Sequence, residues 1–425
     1  MKTVRYQKLA VELCRILLGV TFIFSGVVKA IDPVGGAIKI EDYFAAFNLT
    51  YFNPLSTFIA INLFAVEFML GLCILLAVYR KLVATCMLLF MSFMTLLTFC
   101  LALFNPVHDC GCFGDAIILT NWETFFKNVF VLLPASIATF IYCRQMTPVY
   151  TFKAYWFVIF FSYIFPVGFG FYNYINLPII DFRPFKIGVN IPEKMSFPDD
   201  APQNEYLYIY EKDGKKEAFT PTTAPVGDST WTFVDAKLIK EGYVPPIVSF
   251  VLFDEKSFDV TDAILSDEKG VFLLIAPKIS KASDKHIEEI NNIYDYAVEH
   301  QMLFYAVTNS TNDEINEWIN NTGADYPFLS ADDVTLKTMI RSNPGLVLLK
   351  AGTILKKWHH NHLPSEADAD AVIQGLLQAT DTAAGKEKAP WLWIIGCFSL
   401  PLLLVWIYDY IRHRRKNEKE EKKSI

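Results

Sequence analysis

Apolar residues run almost without interruption through the first 175 positions, and from 180 to 388 the chain becomes an ordinary mixture of apolar and charged residues. A hydrocarbon core of ~30 Å is crossed by roughly 20 apolar residues in a helix. Six windows meet that requirement, at about 10–31, 55–78, 82–104, 124–143, 155–173 and 390–411. The first is too long for a cleaved signal peptide and lacks a small-residue cleavage site, so it is expected to stay as a span. Downstream the period changes. Residues 185–244, with "EYLYIYEKDGKKEAFT" and "STWTFVD", read as short strands about an Asp-Gly turn. From 245 onward, strands are predicted at "IVSFVLF", "GVFLLIAP" and "QMLFYAVTNS", and helices in "SDKHIEEINNIYDYAVEH", "NDEINEWINNTG", "DVTLKTMIRS" and "EADADAVIQGLLQA". "GLVLLKAGTILKKW" reads as a hairpin about Ala-Gly. The order βαβα(α)ββα predicts an α/β sandwich of thioredoxin type.

Length and composition agree with a membrane part joined to a polar one. The chain has 425 residues, 53% of them hydrophobic, a level soluble domains rarely reach, and its length alone suggests two or three domains. The expected fold class is a multi-pass α-helical membrane protein, a four-helix bundle plus two further spans, carrying an outward α/β domain. The expected segments are 1–145 (four spans), 146–175 (fifth span), 176–244 (β-rich extension), 245–385 (α/β domain), 386–411 (sixth span) and 412–425 (basic tail). A polar linker at 382–389 leads into the last span. A net charge of −7 gives no basis for binding nucleic acid. Lys and Arg gather at Lys2, Arg5 and Lys8, at Arg80 and Lys81, at Arg144 and Lys153, and in the tail "RHRRKNEKEEKKSI". With six spans all four groups fall on one side, which the positive-inside rule makes cytoplasmic. Both termini are then inside, and residues 32–54, 105–123 and 174–389 face outward.

That topology sorts the chemistry. Cys14, Cys73, Cys86, Cys100, Cys143 and Cys397 lie in or at the ends of spans and read as small buried apolar residues. Cys110 and Cys112, in "HDCGCFGD" at 108–115, sit instead in an outward loop, where an oxidising compartment is expected. A disulfide between residues i and i+2 closes a small ring of unrelaxed geometry, so it should be easily reduced. Thiol exchange is the favoured reading. A metal site using His108, Asp109 or Asp115 with the two cysteines, and a purely structural turn, remain open. Within the spans, Gly19 and Gly26 form a small-residue face on the first helix. The second carries Asn62 and Glu67, the latter near mid-membrane, where a carboxylate marks a partner or a pathway. Arg15 is the expected partner of Glu67, with a proton or quinone role as the alternative; Lys29 is expected to snorkel to the interface. The cluster "WHHNH" at 358–362 is expected at the surface.

"RILLGVTFIFSGVVKAIDP", Glu67, "CGCFG" and "KNVFVLL", which begins with Lys127-Asn128, together resemble the MauE branch of the DoxX-like membrane proteins, over about residues 10–145. Lys127 departs from the Arg the family more usually carries there. The resemblance implies a four-helix membrane bundle with a redox or maturation role. The family is named for methylamine utilisation, where it is linked to disulfide formation in a periplasmic dehydrogenase. Residues 245–382 resemble the TlpA-like, membrane-tethered thioredoxins. There Asn343-Pro344 matches the family's cis-proline, which implies a partner groove. The family's Cys-x-x-Cys is replaced by "APKISKAS", Ala276 to Ser283, so the domain cannot cycle electrons alone. The combined expectation is a bacterial inner-membrane accessory protein for thiol–disulfide exchange or electron transfer. Cys110 and Cys112 would exchange with an envelope protein or thioredoxin-like partner, with quinone the one cofactor to consider. A non-catalytic membrane scaffold is the alternative, and a transporter built around Glu67 a weaker third.

Overall fold

The computed structural model describes residues 2–107, 109–240, 242–378 and 391–421. His108, the 382–389 linker and the last four residues of the basic tail lie outside the described residues. The chain forms two compact units, Met1–Arg183 with Lys386–Ile425, and Pro184–Gly385.

The first unit is helical: α1 (Lys2–Ile31), α2 (Pro33–Ala46), α3 (Ser56–Leu75), α4 (Arg80–Phe104), α5 (Asn121–Lys127), α6 (Leu133–Ile141) and α7 (Tyr155–Ile175), with a further helix at Trp391–Glu421. A π-helical turn, Asn128–Leu132, joins α5 to α6. Among the described residues six helices are long and apolar enough to cross a membrane: Tyr6–Ile31, Thr50–Leu75, Arg80–Phe104, Asn121–Ile141, Phe152–Ile175 and Leu392–Arg415. Each apolar window of the sequence falls on one of them, and the chain is a multi-pass membrane protein. The 32–54 connection is not a simple loop. Asp32 accepts a hydrogen bond from the Gly35 amide and Pro33 occupies the first turn, two features that start a helix.

Glycines set the register of α1 against α3. A Cβ on Gly19 would lie 2.8 Å from the Leu75 Cβ, one on Gly26 would lie 2.7 Å from the Phe68 Cβ, and one on Gly71 would lie 2.7 Å from the Ile23 amide nitrogen. Positions rise along α1 as they fall along α3, so the helices are antiparallel with backbones nearly touching. Helix α7 closes the other side of α3: the Phe64 ring occupies the space a Cβ on Gly170 would need. Tyr163 donates to the Asn62 side-chain oxygen at 2.6 Å, and the Asn173 amide donates to the Ala30 carbonyl at 3.0 Å. The C-terminal helix is tied in by Asp409, which accepts from the Thr151 amide at 2.7 Å, and by the Leu402 carbonyl, which accepts from Tyr150 Oη at 2.9 Å.

The second unit opens with a short helix, α8 (Ile191–Met195), and a three-stranded antiparallel sheet of β1 (Glu205–Lys212), β2 (Lys215–Phe219) and β3 (Thr232–Lys240), ordered β2-β1-β3. Asp213 and Gly214 turn β1 into β2 with φ of 49° and 75°, the backbone a two-residue hairpin needs. The larger part contains α9 (Thr261–Leu265), β4 (Val271–Ala276), α10 (Ile287–Glu299), β5 (Leu303–Thr308), α11 (Asn312–Thr322), β6 (Phe328–Ser330), α12 (Asp333–Met339), β7 (Gly345–Lys350), β8 (Thr353–His359) and α13 (Glu366–Gln378). Its five strands are ordered β6-β5-β4-β7-β8, with β4, β5 and β6 parallel and β7 and β8 antiparallel to their neighbours. Central β4 is buried at every position, as its unbroken apolar run requires.

Two expectations fail here. "IVSFVLF" forms no strand, although Ile247, Phe250 and Leu252 are buried. Its backbone is satisfied elsewhere: the Leu252 amide donates to Thr261 Oγ1, and Phe253 exchanges bonds of 2.9 and 2.8 Å with Ser330. Nor is "WHHNH" a surface cluster. His359 is buried, His360 is half-buried with its Nδ1 2.9 Å from Ser342 Oγ, and only His362 is exposed.

The glycine register is directly testable. Gly26→Val and Gly71→Val should each destabilise the protein in detergent by ~1–3 kcal/mol through overpacking. Gly396→Ala, which meets nothing within 4 Å, should leave the melting temperature nearly unchanged.

Candidate redox site

The glycine register decides which charges meet. Gly26 lies opposite Phe64 and Phe68, which puts Glu67 beside the level of residues 25 and 26. Side chains on a helix lean toward its N-terminus, so Lys29 reaches down to that level. Its Nζ donates to Glu67 Oε1 at 2.7 Å and to Oε2 at 2.8 Å, with 13% and 4% of the two side chains exposed. Arg15 lies eleven residues from Gly26 toward the start of α1, about 16 Å at 1.5 Å per residue. It pairs instead with Glu12 at 2.8 Å and donates to the Thr147 carbonyl at 3.0 Å. The expected Arg15–Glu67 pair is therefore replaced by Lys29–Glu67, and Lys29 turns inward rather than snorkelling.

The Cys110–Cys112 loop sits on this ion pair. Ser25 Oγ lies 2.8 Å from Glu67 Oε2 and 2.6 Å from the Cys112 carbonyl oxygen, both acceptors for its hydroxyl. Tyr43 donates to the Cys110 carbonyl at 2.8 Å, and Lys39 donates to Asp109 at 2.7 Å. The other oxygen of Asp109 accepts from the Gly111 amide at 3.0 Å. Gly111 has φ +65°, and a Cβ there would stand 2.9 Å from the Lys39 side chain, so glycine suits the turn on both counts. At the far end, Asn121 donates to the Val107 carbonyl at 2.8 Å, and Thr120 with Glu123 forms a capping box for α5. The loop is fixed at both ends.

The two sulfurs are 3.0 Å apart and both cysteines are free. Cys110 is buried and Cys112 partly so. The environment splits them. The hydrogen bond from the Cys110 thiol lowers the Cys112 pKa, and the charges of Lys127 and Lys29 add to that against the opposing effect of burial. Cys110 is pushed up, first by that same hydrogen bond and then by burial. The surroundings thus favour a thiolate at Cys112 over one at Cys110. Lys127 packs over the Phe113 ring at 4.2 Å, and its neighbour Asn128, buried at the start of the π turn, donates to Thr98 Oγ1 at 3.2 Å. The residues picked from sequence in this part, Cys110, Cys112, Glu67, Lys127 and Asn128, thus gather about one loop, and Arg15 does not. Lys29, Ser25, Tyr43 and Lys39 belong to the same network and were missed. Among the described residues, no group of three or more His, Cys, Asp or Glu side chains is placed to hold a metal.

In the second unit the Asn343–Pro344 peptide is cis. The Asn343 amide donates to the Lys278 carbonyl at 2.8 Å, and its own carbonyl accepts from the Ser283 amide at 3.0 Å. Ser280 donates to Glu314 at 2.7 Å. The segment Ala276–Ser283, which lacks cysteine, thus lies directly against the cis-proline.

The first unit is a multi-pass helical bundle with a dithiol loop held over a buried ion pair. Its residues 7–141 match the family model of the methylamine utilisation protein MauE. Residues 204–241 match a domain of unknown function, DUF8463. No curated protein matches the chain. A solution structure from Bacteroides thetaiotaomicron, described as that of a candidate protein disulfide isomerase, is similar at 17% identity and a TM-score of 0.26, covering 31% of this chain and 86% of that one.

Two measurements check the site. Glu67→Gln and Lys29→Met should each cost ~3–5 kcal/mol by leaving one charge buried without its partner, the double variant should recover much of the loss, and Arg15→Gln should cost little. The rate of Cys112 alkylation should rise at a lower pH than that of an ordinary thiol, whose pKa is ~8.5. In Cys110→Ala that profile should move to higher pH, because the largest stabiliser of the thiolate is gone.

Proposed function

We propose that this protein is a bacterial inner-membrane accessory protein that carries out thiol–disulfide exchange at Cys110 and Cys112 with proteins of the cell envelope. The observation that carries this reading is the pair itself, two free thiols 3.0 Å apart with opposite pKa shifts. A nucleophilic thiolate beside a higher-pKa partner is the arrangement exchange requires. Cys112 attacks the partner's disulfide sulfur, forming a mixed disulfide and releasing the partner's other sulfur as a thiolate. Cys110 then attacks the Cys112 sulfur, and the remaining partner sulfur leaves. The reverse sequence donates a disulfide.

In this reading both termini are cytoplasmic and residues 174–389 are periplasmic, as the distribution of Lys and Arg supports. The 245–385 region is taken as thioredoxin-like. Its strand order, with a parallel β4–β5 pair followed by the β7–β8 hairpin, supports that assignment. It holds no cysteine, so its role is to dock partners near Asn343 and Pro344. That absence of thiols is also what a second reading rests on, a scaffold that binds envelope proteins without redox chemistry.

Trapping separates the two. Cys110→Ala keeps the attacking Cys112 but removes the thiol that would resolve a mixed disulfide. A covalent adduct with an envelope protein should appear on non-reducing gels, vanish with reductant, and weaken when Asn343 is also changed. No adduct from either single-cysteine variant, with both wild-type cysteines reduced in growing cells, leaves the scaffold.

A further inference from the structure

The two sulfurs line more than a loop. A cavity of about 220 Å³ opens beneath them, walled by α1, α2, α3, α4 and the 109–115 loop. Its apolar wall includes Ile59, Leu63, Phe64, Phe90 and Met94; Lys29, Glu67 and Tyr43 are polar groups in it, and Asp32, Lys39, Asp109 and Asp115 also line it. The Glu67 end of the cavity lies within a membrane-spanning helix.

We infer that this cavity is the binding site for the head group of a membrane-soluble quinone, which accepts the two electrons released when Cys110 and Cys112 close their disulfide. The inference rests on the exchange reading above and supplies what that reading lacks, a sink for electrons. Three features select the ligand. The cavity's walls are largely apolar and lie among candidate membrane spans, which suits a lipid-soluble occupant. Its volume suits a ring system, since a cavity of ~150 Å³ already holds benzene. Both cysteines border it, so an occupant touches the redox groups directly. Lys29 spends two N–H groups on Glu67 and, among the described residues, has no further acceptor. The third N–H is available to a quinone carbonyl oxygen. The reaction balances: two S–H bonds break and one S–S bond forms, while the two quinone carbonyls gain two electrons and two protons to become the hydroxyls of a quinol.

The test uses the full-length protein in detergent, reduced, freed of reductant and kept without oxygen. Decylubiquinone is the probe, because its fully substituted ring leaves no open position for conjugate addition of a thiol. After an acid quench and alkylation, the 110–112 peptide should carry one disulfide for each quinol formed. Leu63→Trp, which fills the cavity, should slow this at least tenfold. The redox-inert dimethyl ether of decylubiquinol should slow the wild type in competition, which settles the site even if Leu63→Trp fails to fold. Diamide, a water-soluble oxidant, is the parallel arm. Closure by diamide but not by the quinone overturns the quinone site and leaves thiol exchange standing. Closure by neither overturns both. Quinone-driven closure that neither the competitor nor Leu63→Trp slows places the electron transfer outside this cavity and ends the assignment.

Discussion

The Lys29–Glu67 pair is the constraint on which the membrane unit depends. Two opposite charges inside a bundle carry a desolvation penalty of several kcal/mol each, and only close contact with good hydrogen bonding offsets it. The contact exists because α1 and α3 approach with almost no space between their backbones. That approach requires Gly19, Gly26 and Gly71 where they are. Once the pair is seated, Ser25 is drawn to Glu67, and the Cys112 carbonyl is drawn to Ser25. The positive charge of Lys29 reaches the Cys112 sulfur as well, so one ion pair contributes to packing, loop placement and thiol reactivity together.

Much of this architecture was legible in the chain. Apolar run length marked all six candidate spans, because the thickness of a bilayer is a strong constraint on helix length. Two-residue turns marked both hairpins, Asp213-Gly214 and Ala351-Gly352, because few residues tolerate the backbone they need. Partner choice was not legible. Arg15 and Lys29 both lie on α1, and depth alone could not rank them against Glu67. The deciding fact was the register of α1 on α3, and its signal was Gly71, which completes the set begun by Gly19 and Gly26. The strand read at 247–253 failed for a different reason. Burial pattern reports where side chains go, whereas a strand also needs a neighbouring backbone, and Thr261 and Ser330 had already met that need.

In the second unit the segment beside the cis-proline is held by hydrogen bonds and carries no thiol. Where a Cys-x-x-Cys was sought, Ala276–Ser283 forms a 3-10 turn at Ile279–Lys281 and binds Asn343 through Lys278 and Ser283. The histidines nearby are absorbed in the same way. His360 is held by Ser342, and burial lowers its pKa. A domain without thiols also cannot form wrong disulfides with its own tether, so the dithiol of the membrane unit meets no competitor between residues 144 and 396.

Ser25 has one hydrogen and two acceptors within reach. It can give a full hydrogen bond to the Glu67 carboxylate or to the Cys112 carbonyl, and sharing it between them weakens both. The loop and the ion pair are thus rivals for a single proton, and rivalry of this kind is a thermodynamic coupling. Whatever makes Glu67 a poorer acceptor, such as its replacement by glutamine, frees the hydroxyl for the loop and tightens its hold. Whatever lifts the loop, such as a mixed disulfide pulling on Cys112, returns the hydroxyl to the carboxylate. The exchange is worth about one neutral hydrogen bond, ~0.5–1.5 kcal/mol, enough to bias the loop by roughly two- to tenfold.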